Sequence, residues 1–145
     1  MGVVLGFASP ALAQNPHFVG QVRSTDLGTQ LQVSGSVAGL GNQNIDVEVI
    51  ANGIASVDCE NPGGNVAPGQ RTEVTSTGTV TNVEVKNGRA NFSVTTATPT
   101  VPNVPTCPNS KWTATVTDVE FTSFTVNVYQ PAGSGILVLS ETFPA

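Results

Sequence analysis

Charge is the scarcest property of this sequence. Only 10% of its 145 residues are Asp, Glu, Lys or Arg, against about 25% in an average soluble protein. Ten acidic and five basic residues leave a net charge of −5. The five cations, Arg23, Arg71, Lys86, Arg89 and Lys111, are scattered along the chain. A chain without a basic cluster lacks the counterion-releasing surface that nucleic acid requires, and the same reasoning weighs against anionic membranes. Aromatic residues are also few, at 6%, which leaves little for the exposed platforms that sugar binding uses. Trp112 shares a face with Ala114 and Val116 and is expected in the core. Tyr129, out of phase with Val126 and Val128, is the one aromatic expected to face outward mid-strand. There is a single histidine, His17, expected as an ordinary surface residue. A nucleophile–histidine relay needs that ring beside a nucleophile in an ordered cleft, and the chain has no G-x-S-x-G elbow. One histidine and two cysteines are too few ligands for zinc. No stretch approaches the ~20 apolar residues of a membrane-spanning helix, and none shows the 3.6-residue apolar period of an amphipathic helix. A non-enzyme without a cofactor is the expectation.

What fills the gap is threonine, valine, glycine, asparagine and proline. The first two suit pleated surfaces and the rest suit turns, so the chain reads as all-β and, by length, as one domain. Its start, MGVVLGFASPALAQ, ends in the small-x-small pattern Ala11-Leu12-Ala13. Residues 1–13 read as the C-terminal part of a signal peptide, cleaved before Gln14, and residues 14–145 as a single β-sandwich domain. A disordered or strand-forming tail is the other reading of the same stretch.

Taken in order, His17–Arg23 is the first expected strand, followed by a turn at Asp26-Leu27-Gly28 and a half-buried strand in which Leu31, Val33 and Val37 alternate with polar residues. Ile45 to Cys59 contains an Asn52-Gly53 pair, ordinarily a strong hairpin signal. A hairpin there would set Val49 opposite Ser56 and Val47 opposite Asp58. Without it, Val47, Val49, Ala51, Gly53, Ala55, Val57 and Cys59 share one face, and directly opposed residues should match. The stretch therefore reads as one long strand with a bulge or bend at Gly53. The second pair, Asn87-Gly88, passes the same test. It sets Val85 opposite Ala90, Val83 opposite Phe92 and Thr81 opposite Val94, which predicts a hairpin. A strand is expected near Arg71–Val80, with a slip between Val80 and Val83. Residues 97–110 hold four prolines and read as an extended connection. Strands follow from Trp112, with a phase slip after Phe121, and over Ile136–Phe143. The total of eight or nine antiparallel strands fits an immunoglobulin-like β-sandwich.

Two cysteines in an exported β-domain most often pair, and a Cys59–Cys107 bridge is expected to join loop bases at one end of the sandwich. Two separate buried thiols are the alternative. The bridge would close a loop of about 48 residues and stabilise by about 4 kcal/mol in the loop-entropy model. Three Asp-x-Glu pairs, Asp46/Glu48, Asp58/Glu60 and Asp118/Glu120, each project two carboxylates to one side about 7 Å apart. Asp58 and Glu60, beside the Asn61–Asn65 turn, are the weak candidates for a Ca²⁺ site. A solvated strand face is the plainer explanation, since no Asp-rich calcium loop is present. Asn91-Phe92-Ser93 fits the N-glycosylation pattern but falls inside a strand.

The segments Cys59-Glu-Asn-Pro-Gly-Gly-Asn65, Ala67-Pro-Gly-Gln70 and Cys107-Pro-Asn-Ser-Lys-Trp-Thr-Ala-Thr-Val116 resemble those of a group of small exported bacterial β-sandwich proteins that carries no assigned activity. The resemblance covers most of the chain after residue 13. It implies export, a disulfide and a β-sandwich, and it transfers no functional residue.

The functional expectation is a secreted, extracellular or periplasmic, non-enzymatic module that meets a protein or surface partner. Contacts are expected from the loops at the bridged end, at Asn61, Gly63, Gly64, Asn65 and Asn109. Two rivals stand beside it. One is a filament or surface-assembly subunit that donates a strand to a neighbouring copy. The other is a Ca²⁺-dependent or hydrolytic protein using the Asp-x-Glu pairs.

Overall fold

The computed structural model describes residues 14–145; the leader expected over residues 1–13 lies outside them. Alternating apolar and polar residues produce eight strands, and the described residues contain no helix. The strands are β1 (His17–Asp26), β2 (Leu31–Ala38), β3 (Ile45–Glu60), β4 (Val66–Pro68), β5 (Thr72–Val83), β6 (Ala90–Thr95), β7 (Thr113–Tyr129) and β8 (Leu137–Pro144). They form two antiparallel sheets. The smaller is β1-β2-β6; in the larger, β4 and β5 run along one side of β3, with β7 and then β8 on the other. The immunoglobulin constant arrangement puts its fourth strand on the first sheet. Here the corresponding strand, β5, pairs with β3 instead.

β3 is the spine. Its 16 residues alternate without a break, every odd-numbered position from Ile45 to Cys59 being buried. Asn52-Gly53 lies in its interior, as the register test required, and the irregularity expected at Gly53 is on the opposing strand. Asn52 pairs with Ser123 and Gly53 with Phe121, so Thr122 is an extra residue in β7. A Cβ at Gly53 would stand 2.7 Å from the Glu120 carbonyl oxygen, so glycine is what lets β7 close in there. A second extra residue, Thr117, falls between the pairs Ser56–Asp118 and Val57–Val116. The two insertions keep Ala114 and Val116, then Val119 and Phe121, then Phe124, Val126 and Val128 on the inner face. The slip expected near Val80 is also present: Val47 pairs with Val80 but Ile45 with Val83, and Asn82 takes a φ of 54°.

The Asn87-Gly88 expectation needs correction. The turn forms, with φ of 54° and 75° at its two central residues, the signature of a type I′ turn. Lys86 N–H donates to Arg89 O at 2.9 Å and Arg89 N–H to Lys86 O at 3.1 Å. Pairing stops at that rung. β5 gives its ladder to β3 and β6 gives its ladder to β2, so the arms part into different sheets instead of continuing to Thr81 and Val94. The physical reason is burial. Val85 and Ala90 both enter the space between the sheets, and covering both sheet faces outweighs a longer two-stranded ribbon.

The core has two parts. The larger is an ordinary sandwich interior, with Leu31, Val33, Val37, Phe92 and Val94 facing Val47, Val49, Phe124, Val126 and Val128. Phe18 meets Phe143 edge-on at 5.6 Å and Phe143 stacks on Phe124 at 5.3 Å, which closes the seam between β1 and β8. The smaller sheet is too short to cover all of β3 and β7. Its β1–β2 turn ends where the Gly28 carbonyl accepts the Val119 N–H at 2.8 Å. Beyond that point a second cluster, Ala55, Val57, Cys59, Cys107 and Val119, is packed by Val74, Val101, Trp112, Ala114, Val116 and Phe121. No residue of β1, β2 or β6 takes part. The overhanging half of the larger sheet is covered instead by the proline-rich connection. Trp112 is therefore not the fully enclosed core residue expected from its phase. It precedes β7 and lies half-buried at the rim of this second cluster, because no second sheet reaches that far.

Candidate functional site

The bridged end combines the overhang of β3, the hairpin built on it and the connection laid across it. Cys59 occupies the last inward position of β3 and is bonded to Cys107, with Cα atoms 5.8 Å apart. The bridge joins the larger sheet to the connection rather than one sheet to the other, as expected for loop bases at one end. Both sulfurs are buried. Cys59 Sγ lies 3.8 Å from the Thr106 carbonyl oxygen; an oxidised sulfur has no proton to donate, so this is a packing contact.

After Glu60 the chain forms a tight hairpin whose return arm is β4, with Asp58, Cys59 and Glu60 opposite Pro68, Ala67 and Val66. Asn61 organises its turn. Asn61 N–H donates to Asn65 O at 3.0 Å, Gly64 N–H to Asn61 O at 3.0 Å, and Asn65 N–H to Asn61 Oδ1 at 2.9 Å. Gly64 has a φ of 85°, where a side chain would be strained. Asn109 does similar work in the connection, its Oδ1 accepting the Lys111 N–H at 3.0 Å and its carbonyl the Trp112 N–H at 3.2 Å. Asn61, Gly63, Gly64, Asn65 and Asn109 thus sit at the bridged end, with the three asparagines committed to local turns.

A concave surface lies beside them. An open cleft of about 570 Å³ runs between the strand leaving β4 and the connection, lined by Pro68, Gly69, Gln70 and Val104 to Pro108. None of the five expected contact residues lines it. Gln70 N–H donates to Thr106 O at 3.0 Å and Gly69 N–H to Val57 O at 2.8 Å, which holds the two walls together. Three of the eight lining residues are prolines, which are stiff and carry no N–H. None has a titratable side chain except Cys107, whose sulfur is in the bridge. Gln70 and Thr106 are the polar residues that reasoning from the sequence missed. The only signal was the density of proline around Cys107, which marks a rigid segment without saying what it faces.

The acidic pairs do not converge. Asp58 and Glu60 lie on the outer face of the larger sheet, opposite Thr115 and Thr113 on one side and Pro68 and Val66 on the other. Asp46 is occupied, its two oxygens accepting the Asn82 and Gly133 N–H groups at 2.8 Å each. Glu48 Oε1 accepts from Tyr129 OH at 2.9 Å and Asn127 Nδ2 at 3.1 Å. Tyr129 does lie on the outer face, as expected, and its hydroxyl pKa is raised, first by the hydrogen bond to Glu48 and then by partial burial and the Glu48 charge. Glu120 is paired with Arg71 at 2.8 Å. Among the described residues no group of three or more His, Cys, Asp or Glu is arranged to hold a metal ion, and no helix is long and apolar enough to cross a membrane. His17 is exposed, its Nδ1 2.7 Å from the Asn15 carbonyl oxygen. Comparison with protein-family models, with curated proteins and with solved structures finds no match to this chain.

Proposed function

We propose that the protein is a secreted, non-enzymatic binding module that engages an extracellular or cell-surface partner through the cleft beside the Cys59–Cys107 bridge. The carrying observation is the composition of that cleft: proline walls, an apolar Val104, two uncharged polar side chains, and no acid or base that could activate the Thr106 hydroxyl. Catalysis by proton transfer or covalent attack needs such a group within reach, whereas a rigid, half-apolar concavity suits binding with little loss of entropy. Val104, a large exposed apolar residue, lines it from the connection that carries Cys107. The bridge itself accords with an oxidising compartment.

Strand-donated assembly is the second reading, and the outer edge of β8, with Leu137 and the preceding Ile136 both exposed, favours it. One residue opposes it. Glu141 pairs with Val126, a fully buried residue, so this carboxylate sits on the inner face of an edge strand, a common device against edge-to-edge pairing.

The test is binding of labelled protein, residues 14–145 with the disulfide intact, to the surface of cells that secrete it. Truncating a contact that matters costs 1–2 kcal/mol or more, so Gln70→Ala with Val104→Ala should weaken binding about tenfold, and Asn127→Ala on the far face should not. Equal binding by both variants, or none by the parent protein, rules the cleft out.

A further inference from the structure

The chain holds two Asn-Gly pairs, Asn52-Gly53 and Asn87-Gly88, and the fold puts them in opposite situations. An asparagine before glycine is chemically labile, because the following amide nitrogen can reach the side-chain carbonyl with no Cβ in the way. Asn52 lies mid-way along β3, between Thr75 of β5 and Ser123 of β7. Its Oδ1 accepts a hydrogen bond from Thr75 Oγ1 at 3.0 Å and its carbonyl one from Thr122 Oγ1 at 3.3 Å. A five-membered imide cannot close there without tearing two ladders. Asn87 is exposed at the tip of a two-residue turn. That turn is held by the Lys86–Arg89 rung and by Leu40 N–H donating to Gly88 O at 3.0 Å. Among the described residues no hydrogen bond engages the Asn87 side chain or the Gly88 N–H.

We propose that Asn87 is a site of spontaneous deamidation in the folded protein, and that Asn52 is protected by the sheet. The Gly88 nitrogen loses its proton to hydroxide and attacks Asn87 Cγ. The new C–N bond closes a succinimide while the bond to the side-chain nitrogen breaks, and that nitrogen leaves as ammonia after taking a proton from water. Water then opens the ring at either carbonyl, giving aspartate or isoaspartate; the net change is water in and ammonia out. The product carboxylate appears between Lys86 and Arg89, two like charges on one rung, which favours the anion. The isoaspartate form also adds a methylene to the main chain at the turn where the chain passes from one sheet to the other, between buried Val85 and Ala90.

The experiment is incubation of the disulfide-intact protein at mildly alkaline pH, with peptide mapping by mass spectrometry and isoaspartyl methylation. The signal is the mass change of an amide becoming an acid. In the folded chain Asn87 should convert at least about tenfold faster than Asn52, the factor for a local opening that costs only about 1.4 kcal/mol. In the reduced, denatured chain the two rates should approach each other. If Asn52 keeps pace with Asn87 in the folded protein, or Asn87 stays intact while the denatured chain converts, the proposal is wrong.

Discussion

Gly69 lies so close to Cys59 that a Cβ at position 69 would stand 2.8 Å from the Cys59 sulfur. The same added atom would be 3.1 Å from the Thr106 carbonyl oxygen and 3.2 Å from a Val57 methyl. The chain can pass over the bridge only as bare backbone. Gly69→Ala should therefore destabilise the protein by about 1–3 kcal/mol, the usual cost of overpacking a site whose neighbours cannot yield. Chemical denaturation reads this directly, and an unchanged midpoint would mean that the bridged end is looser than its packing indicates.

Removing the bridge should have a local as well as a global effect. Cys59→Ala with Cys107→Ala is expected to cost about 4 kcal/mol through the larger entropy of the unfolded chain. The second cluster has no opposing sheet to hold it, so the connection over residues 97–110 should loosen first. Limited proteolysis should cut there well before the β2–β3 region. Simultaneous cleavage at both places would contradict a separately stapled half.

Tyr129 predicts a stability change at alkaline pH. Its folded pKa is raised above the ordinary 10.0 by the hydrogen bond to Glu48, so the folded state holds the proton longer than the unfolded chain does. The stabilisation is full below the unfolded pKa and is lost as pH rises through the folded one. Ultraviolet titration should place Tyr129 above a free tyrosine, and Glu48→Gln should bring it back down. Tyr129→Phe should remove this part of the alkaline loss.

Glu141 tests the assembly reading. If an inward-facing carboxylate keeps β8 from pairing with another edge, Glu141→Val should raise self-association relative to the parent at equal concentration. Size-exclusion chromatography with light scattering is the measurement. A parent that already forms filaments would favour strand donation instead.

Much of the fold was legible because strand faces are written with a period of two. The unbroken alternation from Val47 to Cys59 overruled a strong local turn signal at Asn52-Gly53, and the phase slips near Val80 and Phe121 marked real bulges. The Asn87-Gly88 turn was legible for the same reason. Its aftermath was not, because matching apolar faces cannot say whether two arms pair with each other or each joins a different sheet.

The candidate site was legible only in part. Cys59, the Asn61–Asn65 turn and the stiffness of residues 97–110 could be read from residue types, since cysteine pairing and proline geometry are local chemistry. That the connection lies across the overhang of β3 and β7, and so makes a cleft with Gln70 and Thr106 in its walls, depends on how far the smaller sheet extends. The sequence by itself determined the long strands and their inward faces, because each follows from neighbours in the chain, and with only two cysteines it left Cys59–Cys107 as the single disulfide the chain could form within itself. Only the tertiary structure decided which strand each edge meets and where the smaller sheet stops, because those depend on contacts between distant residues competing to bury the same surface.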